Sequence, residues 1–341
     1  MAGVWYGSLT TGVGLWAGVG FASMAMFAIL WTESRASSRV ILSCWGLLVG
    51  WSILGVVIPG HPLFGWGYLF DGSGWFGVAL HFVLLSVVAI LLRSTSVLSP
   101  RNYLPFAALV FLCLVFAITG GRSNQNGRVK HAFAFQTKWG AYPKLFSTEA
   151  QNRAKTIAYH IDGQTDQRAT AFIFPESVLG LYDSGLEELL NVELGRRVGS
   201  DMQVVVIGAD VSIGPGELAN AALIFGPHGR RQMVFARQST PVAQWRPWSV
   251  YGHFPSNWFR STVVDLAAAG KVRIVFCHEE YSAALGLISE ALDEPHVGVI
   301  SMANLWAATD TLPNAVQSAH TEGIARLFGK SWTRSVNAAG S

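Results

Sequence analysis

The sequence predicts a membrane α-helical N-terminal region, about four spans long, followed by a layered α/β domain. Three observations predict it. Hydrophobic residues make up 51% of the 341 residues and charged residues only 13%, against roughly 25% charged in an ordinary soluble protein. Long apolar runs crowd the first third of the chain. From about residue 131 the pattern changes to short apolar strands alternating with amphipathic helices.

A bilayer needs roughly 20 apolar helical residues. Four stretches meet this, at about 13–31, 40–59, 74–92 and 104–120. The segment Pro62 to Phe70, rich in Gly and aromatics, is too short and reads as an interfacial or re-entrant piece. No basic residue precedes the first run, unlike a cleaved signal peptide. Arg35 and Arg39 lie in the first loop and Arg93 and Arg101 in the third, while the second loop has no Lys or Arg. The positive-inside rule then places loops one and three in the cytoplasm. The second loop and everything after the fourth span lie outside, which in a bacterium means an inner-membrane protein with a periplasmic C-terminal domain. A fifth span hidden in 62–70 would reverse this. His81 falls in the third run with no partner visible in the sequence.

Residues 122–130 (RSNQNGRVK) form a polar linker, and 131–341 form the α/β domain. Strands are expected at 131–136, 170–175, 202–209, 272–276 and 297–303, with two more around a Gly-Pro-His-Gly turn within 221–237. Helices are expected at 147–160, 181–194 and 282–292. The net charge of +3 and the absence of a basic run give no sign of nucleic acid binding. No Cys/His spacing suits zinc, no Gly-rich phosphate loop follows a strand, and no cofactor is expected.

Cys44 and Cys113 sit in apolar runs, so Cys277 is the one cysteine of the polar half. It ends the apolar strand VRIVF, as Glu176 follows the strand AFIFP. Sites in α/β sheets gather beyond the carboxyl ends of strands, and a carboxylate beside a thiol suits nucleophilic acyl chemistry. A buried bystander cysteine is the bland alternative.

The order of motifs from 131 to 341 resembles the nitrilase superfamily. Within it the chain is similar to the apolipoprotein N-acyltransferase type, which joins such a domain to a membrane region. AFAFQ (132–136), FIFPES (172–177), the hairpin from Asn220 to Arg237, IVFCHEE (274–280) and the closing segment 301–341 carry the resemblance. It implies Glu176 as general base and Cys277 as nucleophile, with Glu279, His278, Gln244 and Asn220 in support. It further implies acyl transfer from a membrane phospholipid through a thioester to a lipoprotein or other amine acceptor. Two departures stand out. The lysine of the family falls at Ala236, leaving Arg237 as the candidate for oxyanion charge. Arginine cannot shuttle protons. The following acidic position is Gln244. The chain stops at Ser341, where the acyltransferase type continues, and so looks more like the conjugal-transfer TraB branch. That implies conjugation machinery as a partner and leaves two alternatives open: a catalytically degenerate interaction component, or a membrane-tethered amidase.

The segment 245–259 (WRPWSVYGHFPSNWF) holds Trp245, Trp248, Trp258 and Phe259 beside arginines. Such a mixture suits a lipid headgroup layer, so these residues are candidates for a membrane lid. A core-packing loop is the competing reading.

Overall fold

The structure, a computed structural model, describes residues 61, 63–93, 127–144, 147–164, 169–195, 203–241, 243–249, 251–307 and 312–339, together with 45, 46, 49, 50, 52 and 53. The expected spans at 13–31 and 104–120, most of 40–59 and most of the 122–130 linker lie outside these residues.

The α/β domain is built from period-two strands whose alternate side chains face different layers. Strands β1 (Ala132–Ala134), β3 (Ala171–Ile173), β5 (Val204–Gly214), β6 (Glu217–Phe225) and β7 (Arg231–Phe235) form one sheet in the order β1-β3-β5-β6-β7, with β4 (Leu181–Tyr182) paired to β5. A second sheet runs β2 (Gln136–Thr137), β11 (Ser331–Asn337), β10 (Gly298–Asn304), β9 (Lys271–Phe276) and β8 (Val263–Asp265) in the order β2-β11-β10-β9-β8. In β3, Ala171 and Ile173 point inward and meet Val206, Ile274, Ile300 and Met302 between the sheets. Phe172, from the opposite face of the same strand, packs with Ile157 and Leu190 under helices α3 (Thr148–Asp162) and α4 (Ser184–Gly195). On the far side, Val275 and Val299 of the second sheet meet Ala325 of the helix Leu312–Leu327. The result is a four-layer helix–sheet–sheet–helix sandwich. Its core strands are continuous apolar runs because both sheet faces are covered.

The expected elements are present with shifted ends. The 131–136 strand divides into β1 and β2, one in each sheet. The strand expected at 202–209 runs on to Gly214 as one arm of a long hairpin with β6. Helix α5 (Ala283–Leu292) starts behind Ser282, whose side chain caps the Leu285 amide. Strand β8 was not expected, because three residues with one buried side chain leave too short a pattern to read.

Before the domain, α1 (Leu63–Leu69) and α2 (Gly74–Arg93) are helical. The 62–70 segment is not a span: it holds the short helix α1, packed on the α/β domain. Leu63, Trp66 and Phe70 are buried with Ile324 and Leu327 of α6 (Leu312–Leu327). Glycines permit this approach, since a Cβ on Gly323 would overlap the Phe64 backbone and one on Gly67 would overlap Gly323. Seven residues of helix extend only about 10 Å, so the fifth-span alternative fails on length as well as on packing. The expected third span is helical as α2, with side chains described only to Val83. Among the described residues, no helix is long and apolar enough to cross a membrane.

Candidate functional site

The carboxyl ends of the two sheets meet, and there the sequence-predicted pair comes together. Glu176 sits in the turn three residues beyond β3 and is 5% exposed. That turn is pressed against β5, where a Cβ on Gly208 would overlap the Glu176 backbone. Ser177 takes φ 48 to complete it and donates its hydroxyl to Asp210 at 2.6 Å. A non-glycine residue held at positive φ beside a functional side chain is a strained conformation that the surrounding packing maintains.

Cys277 opens the 3-10 turn Cys277–Tyr281 that follows β9 and is 1% exposed. Its thiol faces Glu176 closely enough for a hydrogen bond between the two to act on the carboxyl. Gln317 of α6 donates its amide to Cys277 Sγ at 3.5 Å and also to the Cys277 carbonyl. Asn304, ending β10, donates to the Glu176 carbonyl at 3.1 Å, and its own carbonyl lies 3.9 Å from Cys277 Sγ. Asn337 ends β11 and donates to Asn304 Oδ1 at 2.9 Å while accepting from Thr137 at 2.9 Å. The parallel register that pairs Asn304 with Asn337 thus places a buried amide ladder under the site.

The supporting residues divide. Asn220 is at the site and donates to Glu176 Oε1 at 2.8 Å. It also exchanges longer hydrogen bonds of 3.4 and 3.3 Å with Gln244. Glu279 turns away from the nucleophile. Its carboxylate accepts from the backbone amides of Arg237, of Gln238 at 2.9 Å and of Phe276 at 3.1 Å, tying the β7 exit to the end of β9. His278 is buried and lies edge-on to Tyr281, with ring centroids 5.7 Å apart.

Arg237 is not brought to the site, which corrects its expected place beside the oxyanion. The guanidinium is buried at 2% exposure and donates from one nitrogen to both oxygens of Asp293, at 2.6 and 2.5 Å. It also donates to the carbonyls of Arg260 and, at 3.3 Å, Leu285. The physical reason is competition: Asp293, just past α5, offers a bidentate partner in a low-dielectric interior, and a side chain so held cannot also reach Cys277. Ala236 occupies the lysine position, buried, with its amide on the Asn220 carbonyl at 2.9 Å.

No cation is hydrogen-bonded to Glu176 or Cys277 among the described residues, so charge at the site is costly. Burial pushes the Cys277 thiol well above its ordinary range, and the Glu176 and Glu280 carboxyls push it the same way. Burial likewise raises Glu176 far above the usual carboxylate range, helped by Asp210. Asp210 is itself raised by burial to about 7, against the Ser177 hydrogen bond. Both shifts disfavour the charged forms, so the site holds a thiol that resists ionisation beside a carboxyl that binds its proton more tightly than an ordinary one.

Tyr142, Asn304, Gln317 and Asp210 were not predicted. Tyr142 is 38% exposed overall, yet burial of its hydroxyl, and then the charges of Glu176, Asp210 and Cys277, raise it. Only the strand-end rule could have found Asn304. Nothing in the sequence singles out Tyr142 or Gln317. Among the lid candidates, Trp248 and Phe259 are exposed at 67% and 73%, together with Tyr251 at 78%. Trp245 is half-buried, and Trp258 is half-buried with its indole N–H on Gln238 at 2.8 Å. Among the described residues no group of His, Cys, Asp or Glu is placed to hold a metal ion.

No family model matches the chain. It is 26% identical to the "Conjugal transfer protein TraB" of Agrobacterium fabrum, over 96% of this chain and 75% of that protein. It is 21% identical to a "Probable conjugal transfer protein TraB" of Sinorhizobium fredii, over 99% of this chain and 82% of that one. Among solved structures it is similar to a nitrilase-superfamily amidase from Nesterenkonia AN1, at 13% identity and TM-score 0.44, covering 64% of this chain and 79% of the other. A carbon-nitrogen hydrolase from Helicobacter pylori G27 gives 11% identity and TM-score 0.45, covering 60% and 73%. Along nearly its whole length, then, the chain is similar to two conjugal transfer proteins named TraB, and its described residues from 127 onward form a four-layer α/β sandwich that brings Cys277 and Glu176 together.

Proposed function

We propose that the protein is an inner-membrane component of a plasmid conjugal-transfer apparatus, and that its nitrilase-like domain binds a partner without turning over substrate. The similarity to TraB proteins supports the first half. The second half rests on one observation, the lost cation: Ala236 stands at the lysine position and Arg237 is bound to Asp293. Acyl transfer by this route needs a thiolate to attack and a positive or hydrogen-bonding group to hold the oxyanion. A thiol whose ionisation burial disfavours, with Arg237 held on Asp293, supplies neither.

Several features support membrane attachment with the domain outside. Trp45, Val49 and Ile53 recur at helical spacing and are 44–50% exposed. Trp75, Phe76 and Val83 of α2 are likewise 45–60% exposed. Exposed apolar stripes of this kind suit a lipid solvent. Trp45 meets Phe82 edge-on at 5.6 Å, so the two stripes belong to neighbouring helices. Because α1 packs on α6, the second loop and the α/β domain share one side. The Lys/Arg distribution supports the periplasm as that side.

A second reading keeps the enzyme. Cys277 and Glu176 do face each other, and Trp248, Tyr251 and Phe259 expose aromatic surface on one loop that suits the outer leaflet as a lid. In that reading Glu176 takes the thiol proton and the thiolate attacks a phospholipid ester. The acyl C–O bond breaks, and the lysophospholipid leaves as its alcohol with that proton. An amine or water then takes the acyl group from the thioester, and the thiol is restored. The two readings separate in a donor strain. The binding reading expects Cys277→Ala and Glu176→Ala variants, present at wild-type level, to transfer plasmid at wild-type frequency. It also expects no hydroxylamine-sensitive adduct on Cys277 after incubation with labelled phospholipid. An adduct that disappears in Cys277→Ser, with transfer lost in Cys277→Ala, establishes the acyltransferase instead.

A further inference from the structure

Three histidines that the site does not use meet where the N-terminal helices dock on the α/β domain. His61 precedes α1, His81 lies in α2, and His320 lies in α6. Each is 1% exposed. The His61 and His81 rings are 6.3 Å apart, His81 stands edge-on to Trp66 at 5.1 Å, and His320 lies 5.5 Å from Phe64. His61 accepts the Leu63 amide on Nδ1 at 3.1 Å. His320 bonds to the Glu280 backbone. Neither ring nitrogen of His81 has a partner among the described residues, nor does His320 Nε2.

The charged groups around them are engaged elsewhere. The Glu280 carboxylate is held by Arg334 at 2.8 Å, Ser301 and Thr321. Asp71 and Glu322 both pair with Arg326 at 3.5 Å, and Arg326 lies over the Tyr68 ring. Across the small cavity that His320 lines, Arg273 pairs with Glu290 and Arg237 with Asp293, and Glu279 holds backbone amides. No carboxylate is free to receive an imidazolium at this seam among the described residues.

We propose that this cluster makes docking of α1 and α2 onto α6 proton-sensitive, so that proton uptake by His81 or His320 opens the seam and frees Gln317 from Cys277. Gln317 stands one turn before His320 on α6, and Gly323, where the helices cross, stands one turn after it. One helix therefore carries the crossing, the proton-sensitive ring and the hydrogen bond on the Cys277 sulfur. Burial and then His61 hold His320 down to about 3, whereas a solvated histidine titrates near 6.5. The undocked state takes up protons first. Docking is thus fully stabilised above about pH 6.5 and weakens as pH falls from there towards 3, by up to about tenfold per pH unit for each histidine.

Hydrogen exchange on the full-length protein in detergent tests this, with rates corrected for the intrinsic effect of pH. Between pH 7.0 and 5.5, protection of 63–69 and 312–327 should fall at least about tenfold, while α3 (148–162) keeps its protection. The His81→Phe/His320→Gln variant should lose that pH dependence. Protection that is flat with pH in the wild type overturns the proposal, even if the variant fails to fold. So does a loss shared equally by α3, or a pH response retained in a folded variant.

Discussion

Replacing Asp293 by alanine is expected to destabilise the protein by about 3–5 kcal/mol, the usual cost of leaving one member of a buried ion pair without its partner. Arg237 is 2% exposed, and its pair with Asp293 has side chains only 2% and 3% accessible. The carbonyls of Arg260 and Leu285 would remain as acceptors, but neither carries a countercharge. Arg273, itself buried, already repels Arg237 and would do so with less compensation. Chemical denaturation followed by tryptophan fluorescence reads the loss. The double variant Arg237→Met/Asp293→Leu should recover most of it, since apolar replacement of a whole buried pair is often neutral. Recovery would also show that Arg237 serves the fold rather than the site.

Gly323→Val is expected to separate the N-terminal helices from the domain, at a cost on the order of 3 kcal/mol, the upper range for overpacking. The obstacle is the Phe64 backbone, which cannot rotate aside as a side chain could. Gly67 meets Gly323 from the other helix in the same way, so neither helix can yield alone. Leu63, Trp66 and Phe70 would lose their contacts with Ile324 and Leu327. Limited proteolysis should then cut between Phe70 and Gly74, while the α/β domain persists as a resistant fragment. A wild-type digestion pattern together with an unchanged melting temperature would refute the tight crossing.

What could be read from the sequence was whatever leaves a local pattern. AFIFP and VRIVF announced buried strands through unbroken apolar runs, and the polar residue ending each run marked Glu176 and Cys277. The structure places both at the meeting of the sheet ends. The pairing of Arg237 with Asp293 joins residues 56 apart on separate elements, and ion pairs of that kind have no period. Arg237 was therefore assigned by its distance from the lysine position, and the carboxylate that captured it was invisible. Tyr142 and Gln317 reach the site through loop and helix placement alone. His81 had no partner in its own run because its neighbours come from residues 61 and 66. The docking of the 62–70 segment on α6 was not legible, because Gly and aromatic residues suit a close helix crossing as well as a lipid interface.

The central claim is that Cys277 rests as a neutral thiol because it is buried beside the Glu176 and Glu280 carboxyls, with no cation bonded to its sulfur among the described residues. Its most direct test is the rate of alkylation of Cys277 against pH, in a Cys44→Ser/Cys113→Ser background with the native fold verified. The account expects slow labelling at pH 7 and a half-maximal rate above the ordinary cysteine value of about 8.5, as burial and the neighbouring carboxyls require. A midpoint at or below about 7, with fast labelling at neutral pH, would mean that a thiolate is stabilised and would contradict it.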